Sequence, residues 1–225
     1  MSRAIPLLLA LGGLSLSLGC IQDPRPTVGV AASLRGVMPH VAEAYEKTTG
    51  DRPPAFSFGA SGTLAKQLEA GAPLSGVVLA SAVQIDDLIE RALLDSDTRS
   101  ELASNTLVLA GRHQQTYRAL SELSEDDPAE RIAIGDPRFV PAGAHAREAL
   151  EKRGLWNEVT SRAIFTRDVT AAVALLRRGE VNRALVYATD VRRHPELTVL
   201  ETIRTPQRPI VVSARARGAE SVSAF

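Results

Sequence analysis

Cysteine is nearly absent from this chain. One residue, Cys20, stands in 225, so an intrachain disulfide and a cysteine-based zinc site are both excluded. Histidine is almost as scarce: His40, His113, His145 and His194 lie far apart, without the close spacing that helical metal sites use. Each reads as a surface or core histidine. Charge of one sign is also missing, because 26 Lys and Arg balance 26 Asp and Glu. With no global field and only short pairs such as Arg177-Arg178 and Arg192-Arg193, nucleic acid is not an expected partner. No fixed-period repeat and no low-complexity block occurs. What the chain does have is apolar material, 44% of its residues, enough for one large or two small cores.

Its one long apolar run is at the start. Arg3 is followed by residues 5–19 (IPLLLALGGLSLSLG), too short and too rich in glycine for a comfortable membrane span and similar to a signal-peptide core. Cys20 directly after Leu18-Gly19 resembles the lipobox of bacterial lipoproteins, with Ser17 standing where an aliphatic residue is usual. That resemblance implies a signal peptide over 1–19, lipidation of Cys20, and an exported protein in the periplasm or on the outer surface of the cell membrane. The alternatives are an ordinary cleaved signal with an incidental Cys20, or an uncleaved anchor. Residues 20–26 then form a tether, since two prolines disfavour regular structure there.

From Thr27 onward short apolar runs alternate with helical periodicity, the mark of an α/β fold. Strands are expected at 27–32, 55–58, 75–80, 106–110, 131–135, 184–188, 197–200 and 209–214. Leu34, Val37, Met38, Val41 and Tyr45 recur at helical spacing, with Ser33 placed to cap that helix and Gly50 to end it. Helices are likewise expected around Leu64 and Leu68, from Ile85 to Leu93, and over 143–153 and 169–178. Residues 113–130 read as a connecting loop with a short helix.

Four strand-to-helix junctions carry small or hydroxyl residues: AASL (31–34), FGASGTL (58–64), VPAG (140–143) and RDVT (167–170). The first turn of a helix leaves backbone N–H groups without partners, and its partial positive charge favours anions. Ser33 and Ser61 add hydroxyl donors, while Gly59 and Gly62 let a ligand approach the backbone closely. A serine before a helix is more often a simple cap. The spacing alone supports an anion site of unspecified chemistry.

The segments AASL (31–34), SFGASGTLAKQLEAGAP (57–73), RIAIGDPRFVPAGAHAREALEKRGLW (131–156), DVTAAVALLRRGE (168–180) and ALVYATD (184–190) resemble, in order, the periplasmic molybdate-binding proteins of ABC transporters. The block from GDP through VPAG to the GLW is the most distinctive. The resemblance implies two α/β lobes with mixed sheets and covering helices, and a ligand cleft between them. Lobe I is expected over 27–109 plus 190–225, and lobe II over 110–189. The implied ligand is molybdate or tungstate, held by the hydroxyls of Ser33, Ser61 and Tyr187 and by backbone N–H groups at Ala142 and Val169. Neither a cofactor nor any metal beyond that inside the oxyanion is implied. The partners are the permease of an ABC transporter and, through the lipid, the membrane; the chain acts as a monomer without catalysis.

Two departures from the family stand out. LSGVVLASAV (74–83) is longer than the family's equivalent and lacks its acidic residues, with Ser75 and Val83 near those places. Phe225 falls inside what the family carries as a C-terminal helix, so a truncated helix is expected. Sulfate, phosphate or an organic anion would be alternative ligands, and a scaffold that has lost its ligand is a further alternative. A serine hydrolase built on Ser61 is disfavoured, because Gly-Ala-Ser-Gly-Thr is not G-x-S-x-G and no motif ties a histidine to it.

Overall fold

A computed structural model describes residues 25–113, 120, 130–205 and 210–218. The signal run, Cys20, most of 113–130 and residues 219–225 lie outside the described residues.

The first sheet is built from β1 (Thr27–Ala31), β2 (Ala55–Gly59), β3 (Gly76–Leu79), β4 (Ser100–Ser104) and β10 (Ile210–Arg215), in the order β2-β1-β3-β10-β4. In it β1 is parallel to β2 and β3, while β10 runs antiparallel to β3 and β4. The second sheet repeats this plan. It contains β5 (Leu107–Arg112), β6 (Ile132–Gly135), β7 (Ala163–Thr166), β8 (Arg183–Tyr187) and β9 (Leu197–Thr202), ordered β7-β6-β8-β5-β9. Here β6 is parallel to β7 and β8, and β5 is antiparallel to β8 and β9. Parallel strands need crossover helices, which is why the chain alternates strand and helix over these stretches.

The helices are α1 (Met38–Thr49), α2 (Ser61–Glu69), α3 (Ala82–Glu90), α4 (Pro141–Lys152), α5 (Trp156–Thr160), α6 (Val169–Arg178) and α7 (Ala188–Arg192). Gly50 ends α1 in the left-handed conformation, at φ 76°. Leu64, Leu68, Ile85 and Leu88 of α2 and α3 pack with Val77, Leu79 and Val212 on one face of the first sheet. In the second lobe Ala146, Leu150, Ala172 and Leu176 cover Ile132, Ile134 and Leu185. Each fully buried leucine or isoleucine there contributes roughly 1.5–3 kcal/mol relative to exposure. The opposite face of the first sheet is partly open, leaving a groove of about 500 Å³ beside Val28, Val78 and Leu102.

Three expectations need correction. Ser33 does not cap a helix: it lies in a short 3-10 turn (Ala32–Leu34), and α1 starts after Val37 with Pro39 in its first turn. A proline favours a helix start, so it shifts the boundary past the serine. Val37 and Val41, placed on the inward face by spacing, are exposed. The lobe boundary at 109/110 falls inside β5, which begins at Leu107 and pairs only within the second sheet. Residues 197–200, assigned to lobe I, are part of β9 at the edge of the second sheet. Both strands are antiparallel additions, and their short apolar runs carry no mark of which sheet they join. The chain thus passes between lobes at Asn105-Thr106 and again after Thr202.

Candidate functional site

Three parallel strands in each sheet end facing the same small cavity. β1 runs into the Ala32–Leu34 turn, β2 into α2, and β3 into the Ser81 cap of α3. From the other side, β6 leads to α4, β7 to α6, and β8 to α7. Ligands of open α/β sheets collect at such carboxyl ends, where helix N-termini point the same way. Ala31, Ala32, Ser33, Ala60, Ser61 and Ala80 line the cavity from the first lobe, and Val140, Pro141, Ala142, Asp168, Val169 and Tyr187 from the second. All five residues singled out in the sequence therefore meet here. At about 20 Å³ the cavity is far smaller than the groove on the first sheet or a further one of about 440 Å³ between the lobes. Such a space admits a compact ion and excludes an organic ligand of ordinary size.

Ser61 is buried, 1% exposed, at the first turn of α2. Its hydroxyl accepts a hydrogen bond from the Ala80 N–H at 3.0 Å, so its own proton is left to donate elsewhere. Residue 80 belongs to the 74–83 stretch that departs from the family, and that stretch is an ordered strand and helix cap. Ser81 accepts from the Gln84 N–H, filling the capping position. Tyr187 ends β8 and is 2% exposed. Its hydroxyl has no partner among the described residues, an uncommon condition for a buried phenol. Burial pushes that phenol far above its ordinary pKa, with the Asp190 carboxylate adding to the effect. It is a neutral donor across the physiological range.

Ala142 and Val169 sit in the first turns of α4 and α6. Proline 141 gives α4 a suitable start. Asp168, an acidic residue on the cavity wall, caps α6 by accepting from the Ala171 N–H at 2.8 Å. No lysine, arginine or histidine lines the cavity among the described residues. Nor do the described residues contain a cluster of His, Cys, Asp or Glu able to hold a metal ion. Apart from the capping carboxylate of Asp168, the arrangement is one of neutral donors and positive helix ends, suited to an anion whose oxygens only accept hydrogen bonds.

The lobes touch around this cavity. The Gly62 N–H donates to the Phe139 carbonyl at 2.9 Å, and a Cβ at Gly62 would lie 2.9 Å from that same backbone. Lys66 sits over the Phe139 ring at 4.5 Å. Thr170 donates to the Ala32 carbonyl at 3.3 Å and Arg193 to the Ser33 carbonyl at 2.9 Å. Sequence reasoning missed Phe139, Thr170, Asp190 and Arg193. Phe139, Thr170 and Asp190 lay inside the quoted stretches GDPRFVPAG, RDVT and ALVYATD, whereas Arg193 lay outside all of them.

Residues 26–224 match the model of the family described as bacterial extracellular solute-binding protein. The molybdate-binding protein ModA of Haemophilus influenzae is 35% identical over 188 residues, covering 82% of this chain and 73% of that protein. ModA of Escherichia coli is 33% identical over 186 residues, 80% and 72% of the two chains. Among solved structures, the substrate-binding domain of a putative molybdenum ABC transporter from Clostridium difficile is 29% identical with a TM-score of 0.67, covering 88% of this chain and 87% of that one. Two lobes, a cleft lined by helix starts, and these matches over most of the length lead to one statement: the chain belongs to the bacterial extracellular solute-binding protein family.

Proposed function

We propose that this chain captures molybdate outside the cytoplasm and delivers it to the permease of an ABC transporter. The observation that carries the reading is the convergence of six strand ends on one small cavity of neutral donors. The names of the relatives, molybdate-binding proteins at 33% and 35% identity, supply the ligand. In this reading the hydroxyls of Ser33, Ser61 and Tyr187 and the N–H groups of Ala142 and Val169 hold the dianion's oxygens. Molybdate is fully deprotonated at neutral pH, so a site rich in donors suits it. A protonated phosphate would need an acceptor for its O–H, and the one carboxylate on the wall, Asp168, already accepts from the Ala171 N–H. Tungstate has nearly the same size and charge and binds alike, whereas sulfate is discriminated by being smaller.

The same reading makes the protein a carrier with no catalytic step. Ser61 accepts a backbone N–H, and among the described residues no histidine lines its cavity to serve as the base a hydrolase would use. A lipid on Cys20 would tether a monomer to the membrane. Its support is the apolar run of 5–19 and a relative named as a putative ABC transporter substrate-binding lipoprotein, from Bacillus subtilis, 27% identical over 188 residues.

Calorimetric titration of the chain from Ile21 with molybdate, tungstate, sulfate and phosphate tests this. All described elements lie within that chain. Tight binding of the first two only is expected. At about 100 times Kd, the ligand should add roughly 2.7 kcal/mol of stability and raise Tm by about 5–10 °C. No heat and no shift with either metal oxyanion would sink the proposal; binding of sulfate or phosphate instead would favour a different anion carrier on the same fold.

A further inference from the structure

Two pocket residues on opposite lobes are joined by a chain of hydrogen bonds that runs behind the cavity. The Tyr187 N–H donates to Asp190 Oδ2 at 3.2 Å. Asp190 Oδ1 accepts from Arg193 Nη2 at 2.7 Å, and the same nitrogen donates across the cleft to the Ser33 carbonyl at 2.9 Å. Arg193 Nε adds a bond to the Thr189 carbonyl at 3.3 Å. The carboxylate is buried, whereas the guanidinium remains about a third exposed, 36%, so it belongs to the wall of the cleft and not to the core.

The crossing has a fitted seat on the first lobe. A Cβ at Gly36 would lie 2.0 Å from Arg193 Nη1 and 3.1 Å from Cζ, so the guanidinium lies against the bare glycine. Thr170 holds the neighbouring Ala32 carbonyl at 3.3 Å. Two of the three carbonyls of the turn that carries Ser33, those of Ala32 and Ser33, therefore accept from the second lobe. With these carbonyls held on that side, the turn has the Ser33 side chain on the cavity wall.

We propose that Arg193 is a positioning residue for anion binding: a latch that forms when the lobes meet, orients the Ser33 turn, and sets affinity without touching the ligand. The proposal rests on the anion-carrier reading above. A latch of this kind acts mainly on escape, because its bond to lobe I must break before the cleft opens. Its contribution enters the dissociation rate more than the association rate.

The test uses the chain from Ile21 as parent with Arg193→Ala, Arg193→Lys, Gly36→Ala and the Gly36→Ala/Arg193→Ala double variant. Molybdate Kd, dissociation rate and ligand-free Tm are measured for each. Arg193→Ala is expected to raise Kd about tenfold, carried by faster dissociation. Arg193→Lys recovers part of this, since an ammonium supplies one donor where the fork supplies several. Arg193→Ala also deprives buried Asp190 of its ion-pair partner, so Gly36→Ala is the cleaner probe. It leaves the Arg193–Asp190 pair on its own lobe and crowds only the closed form. It should weaken binding by about three- to tenfold with unchanged ligand-free Tm, and add nothing in the Arg193→Ala background. Unchanged affinity in Gly36→Ala, or simple addition of the two effects, overturns the latch.

A parent that does not bind molybdate would defeat the carrier reading on its own, and the latch remains readable. Spin labels at Glu90→Cys on α3 and Lys152→Cys on α4, both exposed, report the separation of the lobes. Longer distances in Gly36→Ala than in the parent support the latch; identical distributions overturn it.

Discussion

Tyr187 hides a hydroxyl that no described protein atom satisfies. A buried O–H without a partner destabilises the fold unless a ligand takes it, so its cost and its use fall on different states. Tyr187→Phe therefore separates them. Ligand-free stability should stay level or rise by up to about 1 kcal/mol, while molybdate affinity falls by about tenfold or more, the worth of a hydrogen bond to a charged acceptor. Thermal unfolding without ligand and calorimetric titration check the two signs. A parallel loss in both would mean that the phenol is a core aromatic and nothing else. At this scale the sequence was a good guide to which residues gather and a poor one to how. Ser33 and Ser61 stand where caps would be, yet neither side chain caps a helix. One lies in a 3-10 turn, and the other ties α2 to the Ala80 N–H of a strand end. The second use depends on a partner 19 residues away, which local spacing does not encode. Arg193 and Gly36 are further from view still, because their meeting exists only across the cleft.

At the scale of elements, the stretch from GDP to VPAG has a packing reason behind its distinctiveness. A Cβ at Gly143 in α4 would lie 1.8 Å from the Gly135 carbonyl oxygen at the end of β6. One at Gly135 would lie 2.4 Å from Val140 Cγ1. Helix start and strand end are thus in backbone contact, and that closeness aims the first turn of α4 at the cavity. Gly143→Ala forces backbone, not a flexible side-chain tip, to move. A loss of about 2–3 kcal/mol is expected, seen as a Tm lower by about 4–10 °C, together with weakened anion binding. Tm within about 2 °C of the parent would show that the loop between β6 and α4 yields easily. Elements with strong apolar periodicity, such as α6 with Val173 and Leu176 inward, were legible in the sequence. β4 was not: SELAS is exposed along its length and carries no alternating apolar signal. β7, at an edge of the second sheet, was missed for a similar reason, since Phe165 points outward.

The whole molecule inverts the usual way of attracting an anion. Two α/β lobes with mixed sheets were expected from the ordered resemblance, but assigning β5 and β9 to the right lobe needed the pairing pattern. Composition states something the fold does not change: the charges balance, and residues 1–20 carry only Arg3, so their removal leaves a net charge of −1. No field of the whole protein then draws a dianion inward, and the cavity itself relies on dipoles that act over about one helical turn. Association should accordingly depend little on salt. Between about 20 and 300 mM ionic strength the molybdate association rate is expected to change by less than about threefold, where a steered encounter would slow far more. Stopped-flow mixing of dye-labelled Glu90→Cys/Lys152→Cys chain with molybdate gives that rate directly. A fall of about tenfold or more would place the exposed arginines around the cleft, Arg35 and Arg138 among them, in the encounter step. Weak dependence would leave selection to the closed state alone, where donor geometry and lobe contacts do the discriminating.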